Sequence, residues 1–148
     1  MISIESSGST RSAIQSIIDQ DVRVQRGLRR GLMNAGKMLK KNMQQEILRG
    51  VKTGRVYRIR RGKRVKNHRA SAAGETAANI SGTYRKSVGF QAHGYDELEF
   101  GASADYAKYL EEGTSRMAER PGLRNTIEAH TGDIEKMLEE AVFKAISP

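Results

Sequence analysis

Ser87-Val88-Gly89-Phe90-Gln91-Ala92 and Glu97-Leu98-Glu99-Phe100-Gly101-Ala102, joined by His93-Gly94-Tyr95-Asp96, are the stretches that decide the fold. Val88 and Phe90 alternate with Gly89 and Gln91, and Leu98 and Phe100 alternate with Glu97 and Glu99. A period of two sends successive side chains to opposite faces, so the two stretches read as an antiparallel strand pair with one apolar face. That face needs a helix against it.

Helical patterns stand on both sides. From about Thr10 to Arg49, Ile14, Ile17 and Ile18 begin an apolar stripe that Leu28, Leu32, Ala35, Leu39 and Met43 continue at spacings of three and four. Gly27, Gly31 and Gly36 interrupt it, each costing a helix interior about 1 kcal/mol against Ala. The preferred reading is a kink or break near Gly27, with a shorter main helix from about Gln25; the sharper alternative is close backbone contact across Gly27 and Gly31. Downstream, Ala104–Glu112 reads as a helix with Tyr106, Tyr109 and Leu110 on one side and Gly113 as its terminator. Pro121 opens a further helical stretch. Thr131 is placed to cap a last helix, Gly132–Ile146, with the stripe Ile134, Met137, Leu138, Ala141, Val142 and Ala145. Ser81 is placed to cap a short turn over Gly82–Lys86. Residues 1–9 read as a flexible tail or a short edge strand, and the 148 residues as a single domain.

Charge is the loudest compositional signal. Residues 1–95 carry 20 Lys and Arg against 5 Asp and Glu, a net of +15; residues 96–148 carry 6 against 12, a net of −6. Ten of the cations fall in 49–69, and no acid lies between Glu46 and Glu75. Val56-Tyr57-Arg58-Ile59 and Val65-Lys66-Asn67-His68 flank Arg60–Arg64 with Gly62 at the centre, the pattern of a β-hairpin with a basic tip. Half-charged strands cannot bury both faces, so the hairpin is expected to project, within an extended basic arm and loop spanning 50–79. The small residues of 70–79 read as its flexible return. Lys and Arg neutralise phosphates and release counterions, but Tyr57 is the segment's one aromatic, so stacking on bases would be thin. A basic arm of this kind meets either nucleic acid, without sequence preference, or an acidic protein neighbour, including a second copy of the chain.

Catalytic signatures do not occur. There is no nucleoside-triphosphate loop, no Gly-x-Ser-x-Gly and no cysteine. His68, His93 and His130 are isolated, so neither a metal nor another cofactor is expected. Glu111 and Glu112 are helix neighbours that point apart, a poor acid–base pair and a better solvated or intersubunit face. An enzyme is therefore not expected. Met1-Ile2-Ser3-Ile4-Glu5 does not read as a signal peptide, and no apolar run is long enough for a membrane span.

Tyr106-Ala107-Lys108-Tyr109-Leu110-Glu111-Glu112-Gly113-Thr114, followed by Met117-Ala118-Glu119-Arg120-Pro121-Gly122-Leu123-Arg124, resembles the C-terminal signature of the neck or tail-completion proteins of long-tailed bacteriophages, also known as minor tail or head–tail joining proteins. Thr53-Gly54-Arg55-Val56-Tyr57 with His68-Arg69-Ala70-Ser71 looks like the basic insertion of many members, and Ser81-Gly82-Thr83-Tyr84-Arg85-Lys86-Ser87-Val88 is similar to the family's step into its first core strand. The set spans roughly Val22 to Ile146. Ser81 stands where Thr is usual, Thr83 where Arg is common, and Gly122 where many members carry Phe, leaving Leu123 as the apolar anchor. Local physics fits the signature: Gly113 suits a helix stop, Arg120 before Pro121 an extended approach to the next helix, and Tyr106 and Tyr109 buried rings with hydroxyls on polar partners.

The resemblance implies an α+β fold, with a long N-terminal helix and the C-terminal helix packed on a small antiparallel sheet. It implies a late structural protein of the virion, assembled in the host cytoplasm as a ring of copies around the DNA channel. The ring would be sixfold if it follows the symmetry of long tails. Its partners would be head-closure, tail-terminator or tube proteins. On this reading the contacts to a subunit or to packaged DNA are Arg55, Arg58, Arg60, Arg61, Lys63, Arg64, Lys66 and Arg69, with Glu111 and Glu112 as acidic counterparts. Ser81, Gly82, Tyr106, Gly113, Thr114, Arg120, Pro121 and Leu123 form the frame. The alternative is a basic, non-sequence-specific nucleic-acid-binding protein that uses 49–69 as its arm.

Overall fold

The computed structural model describes residues 2–4 (backbone), 15 and 21–147. The fold is α+β, with long N- and C-terminal helices and two small antiparallel sheets. The elements are β1 (Ile2–Ile4), α1 (Val22–Arg49), β2 (Val56–Arg61), β3 (Arg64–Arg69), α2 (Thr83–Ser87), β4 (Val88–His93), β5 (Glu97–Ala102), α3 (Ala107–Glu112) and α4 (Gly122–Ile146).

The strand pair forms as the alternation dictates. In the register of β4 and β5, Phe90 faces Phe100 and Ala92 faces Leu98. Val88, Leu98 and Phe100 are buried, and α1 lies across them. β1 adds to the free edge of β5, with Ile2 opposite Phe100 and Ile4 opposite Leu98, so the sheet order is β1-β5-β4. Of the two readings for this segment, flexible tail or short edge strand, the strand stands at Ile2–Ile4, because β5 still has an unpaired backbone edge to satisfy. Residues 5–9 and the expected stripe members Ile14, Ile17 and Ile18 lie outside the described residues.

α1 is the middle layer. Leu32, Ala35, Leu39, Met43 and Ile47 are buried in one core with Val88, Leu98 and Phe100 from the sheet and Leu123 and Ile134 from α4. Burying each large side chain of this set stabilises the fold by about 1.5–3 kcal/mol. Asp21 starts the helix, its Oδ1 accepting from the Arg23 backbone N–H at 2.8 Å.

No break occurs at Gly27: α1 runs unbroken from Val22, not from Gln25. The kink reading fails because the glycines are contact points. A Cβ on Gly27 would sit 2.9 Å from the Ala141 carbonyl oxygen, and one on Gly31 would sit 3.0 Å from the Ala141 Cβ. α4 therefore packs antiparallel to α1 at backbone distance. Gly36 does the same on the sheet side, where a Cβ would enter the Phe90 ring. The propensity cost, about 3 kcal/mol for three glycines, is offset by burial along both faces.

A second correction concerns α4. It is one helix of 25 residues, not two stretches divided at Thr131. Thr131 caps nothing; its hydroxyl donates back to the Ile127 carbonyl at 3.0 Å, which satisfies it inside a helix. Gly132 follows in the helix interior, with no atom near the place of a Cβ.

Two glycines of similar helical setting should therefore respond oppositely. Gly27→Ala should lower stability by about 1 kcal/mol net, overpacking outweighing the propensity gain. Gly132→Ala should raise stability by up to about 1 kcal/mol. Urea unfolding of the two variants checks both signs.

Candidate functional site

The signature Tyr106–Leu123 folds into a hydrogen-bonded helix–turn–helix junction. α3 ends at Gly113, whose φ of 74° and ψ of −176° favour glycine and whose N–H donates to the Tyr109 carbonyl. A Cβ there would also lie 2.8 Å from the Met117 carbonyl oxygen, because Thr114 and Met117 pair across the following turn. Arg120 closes the turn: its backbone N–H donates to the Leu110 carbonyl at 2.6 Å. The Arg120 guanidinium donates to the carbonyls of Ser71 (3.2 Å) and Ala118 (2.6 Å). Pro121 then starts α4, with Gly122 and Leu123 buried behind it. A Cβ on Gly122 would stand 3.0 Å from Thr76 Cγ2 and 3.1 Å from Met43 Cε, so Leu123 is the anchor and there is no room at 122 for a larger one.

Pro121 offers no side-chain cap, yet the first amides of a helix need acceptors. Glu111 supplies one from α3. Its Oε1 accepts from the Leu123 N–H at 2.8 Å and from the Tyr84 hydroxyl at 3.0 Å. Burial, reinforced by the Glu111 charge, pushes the Tyr84 phenol well above its ordinary range. Glu111 is thereby removed from the expected acidic contact surface. Its neighbour Glu112 is exposed and lies 3.9 Å from Lys108. The tyrosine rings are also placed differently from the expectation. Tyr106 is 42% and Tyr109 57% exposed: α3 begins after Tyr106, at Ala107, and turns Ala107 and Leu110 to the core, which leaves Tyr109 on its outer side. Tyr106 keeps one ring contact, with Tyr84 at 6.3 Å between centroids. Ser81 accepts from the Thr83 N–H at 3.3 Å, but α2 starts one position later than expected, at Thr83, with Gly82 in the cap position.

Residues 71–77 are not a loose return loop. Ser71, Thr76 and Ala77 are buried. Gly74 donates to the Glu119 carbonyl and accepts from Asn125 Nδ2. Glu75 holds the base of the hairpin, accepting from the Thr53 hydroxyl (2.6 Å), the Thr53 N–H (3.1 Å) and the Ala72 N–H (2.8 Å). Those donors, the Thr53 hydroxyl first, lower its pKa to about 2. The sequence concealed this because its small residues carry no periodicity; the lone acid in a basic tract was the available signal.

The basic hairpin forms as β2 and β3, in a register from Val56 opposite Arg69 to Arg61 opposite Arg64. Gly62 (φ 57°) takes the first turn position, where a two-residue loop favours glycine. The register puts Arg58, Arg60 and Arg69 on one face and Arg61, Arg64 and Lys66 on the other, with Lys63 in the turn. Arg55 lies before β2, its guanidinium 5.7 Å from the Tyr57 ring centre. Ten of the twelve strand residues are exposed, and the Arg61 guanidinium reaches back to donate to the Ile80 carbonyl at 2.9 Å.

Among the described residues, no group of three or more His, Asp or Glu is placed to hold a metal, and no helix is long and apolar enough to cross a membrane. His130 bridges Asn42 and Asp133, pinning α4 to α1, and His93 contacts Glu99 at 2.7 Å. A groove between the start of α1 and the end of α4, lined by Arg23, Arg26, Arg30, Glu140 and Lys144, had no sequence signal.

Glu111→Ala should lower stability by about 1–3 kcal/mol, since it leaves a buried phenol and a helix amide without their acceptor; chemical denaturation measures it. Glu75 is depressed in the folded chain, so its contribution is complete above the ordinary value of 4.5 and is lost as pH falls through about 2. An NMR titration of its carboxyl should show the low midpoint, and Glu75→Gln should abolish the acid-dependent loosening of residues 53 and 72.

Models of known families, curated proteins and solved structures return no match to this chain.

Proposed function

We propose that this chain is a structural virion protein of a tailed phage, one that completes the tail or neck and helps join head to tail as a ring of copies around the DNA channel. The observation that carries the reading is the ordered signature Tyr106–Leu123. Its defining residues, Gly113, Arg120, Pro121 and Leu123, are the ones whose bonds and burial tie α3, α4 and the base of the hairpin together. A frame of this kind fixes shape and leaves function to the surfaces it presents.

The charge distribution supports contacts between unlike surfaces of neighbouring copies, the arrangement that closes into a ring. With Glu111 turned inward, the exposed acids open to a neighbouring copy are Glu112 and, along α4, Glu128, Glu135 and Glu139. Tail-terminator, head-closure or tube proteins are the expected further neighbours.

Charge reversal at Arg60, Arg61 and Arg64 should leave separate heads and tails in electron micrographs of infected-cell lysates. Normal joining would remove the hairpin from the assembly reading. The purified protein should form rings at low salt that dissociate as salt rises; a monomer at every salt and concentration tested would count against the ring.

A further inference from the structure

The hairpin's two faces are unequal. On the face of Tyr57, Ile59, Arg61, Arg64, Lys66 and His68 lie the only two residues of β2 and β3 that are not fully exposed, Ile59 and His68. The His68 Nε2 is buried, and Arg61 is tied to the Ile80 carbonyl. This face turns towards the domain. The opposite face, Val56, Arg58, Arg60, Val65, Asn67 and Arg69, is exposed at every position.

We propose that this outward face, led by Arg58 and Arg60 with Lys63 at the turn, binds the phosphate backbone of double-helical DNA.

Three observations carry the choice of ligand. Arg58 and Arg60 are two residues apart on one strand, about 7 Å, a repeat that successive phosphates along a DNA strand can meet. The outward face bears no acid and no aromatic. A protein partner would call for an apolar or aromatic centre, and here there are only two separated valines. A single-stranded ligand would call for stacking rings, and the hairpin's one aromatic, Tyr57, lies on the other face beneath Arg55. What remains is guanidinium and ammonium chemistry on an exposed two-stranded ribbon, which suits phosphate contact without base readout. The proposal stands on the hairpin alone and holds or fails separately from the virion reading.

The test is binding of the full-length protein to a random-sequence 20-base-pair DNA duplex, followed by fluorescence anisotropy across a salt series. The wild type should bind at low salt with a steep linear dependence of log affinity on log salt. Arg58→Gln/Arg60→Gln should flatten that slope by about 1.8, the value for two lost phosphate contacts. Arg64→Gln/Lys66→Gln removes the same charge from the inward face and should flatten it by less. Arg58→Lys/Arg60→Lys should keep the wild-type slope, and circular dichroism should show every variant folded. Equal effects of the two Gln pairs would reduce the result to net charge and overturn the face assignment. Absence of binding at low salt, with the Arg58/Arg60 variant altering self-association instead, would assign the face to an acidic protein surface and overturn the DNA proposal.

Discussion

The whole arrangement depends on how closely α1 can be approached. It is the middle layer, with the sheet against one side and α4 against the other, and neither neighbour could reach it over ordinary side chains at three places. Gly27 and Gly31 admit the backbone of α4 at Ala141; Gly36 admits the ring of Phe90 from β4. A helix with three interior glycines is intrinsically poor, by about 1 kcal/mol for each. It persists because two elements pack on it where most helices carry one. The same proximity lets Asn42 of α1 reach His130 of α4, and lets Met43 close the space over Gly122.

The second organising device is remote capping. The first turn of α4 obtains an acceptor from Glu111, on another helix, and that carboxylate also receives the buried Tyr84 hydroxyl. Three separate elements are thus fixed by one group. Arg120 acts in a similar way, joining the α3–α4 turn to Ser71 at the foot of the hairpin. The hairpin's position is therefore set by the C-terminal half of the molecule, although its residues lie far upstream.

Much of this was legible in the sequence, and the exceptions have physical causes. The β4–β5 pair followed from strict alternation, and the core face of α1 from its three-and-four spacing, because both signals report burial directly. At Gly27 and Gly31 the preferred kink gave way to the alternative of close contact, since a sequence shows what glycine costs a helix and not what approaches it. Thr131-Gly132 imitates a helix start, but Thr131 has an alternative partner in the carbonyl of Ile127. Tyr106 and Tyr109 carry the size and polarity of half-buried residues, yet Tyr106 precedes α3 and Tyr109 lies opposite its core face of Ala107 and Leu110, so both are exposed. Glu111 and Glu112 look equivalent in one dimension; only the position of the α4 terminus separates them. Of the candidate site, the basic hairpin was readable, while its register and the inequality of its faces were not.

The chain leaves for β2 and comes back from β3 at almost the same point: the Gly54 N–H donates to the Ala70 carbonyl at 3.0 Å, and the Ala70 N–H returns a bond to Arg55 at the same distance. The hairpin is therefore a closed excursion, and the path of the core on either side is indifferent to its length. Its strands could lengthen, shorten or exchange their side chains while Thr53, Glu75 and Arg120 went on holding the junction. Surface chemistry and frame rest on separate sets of residues, so the strands can be rewritten by mutation while the junction is kept.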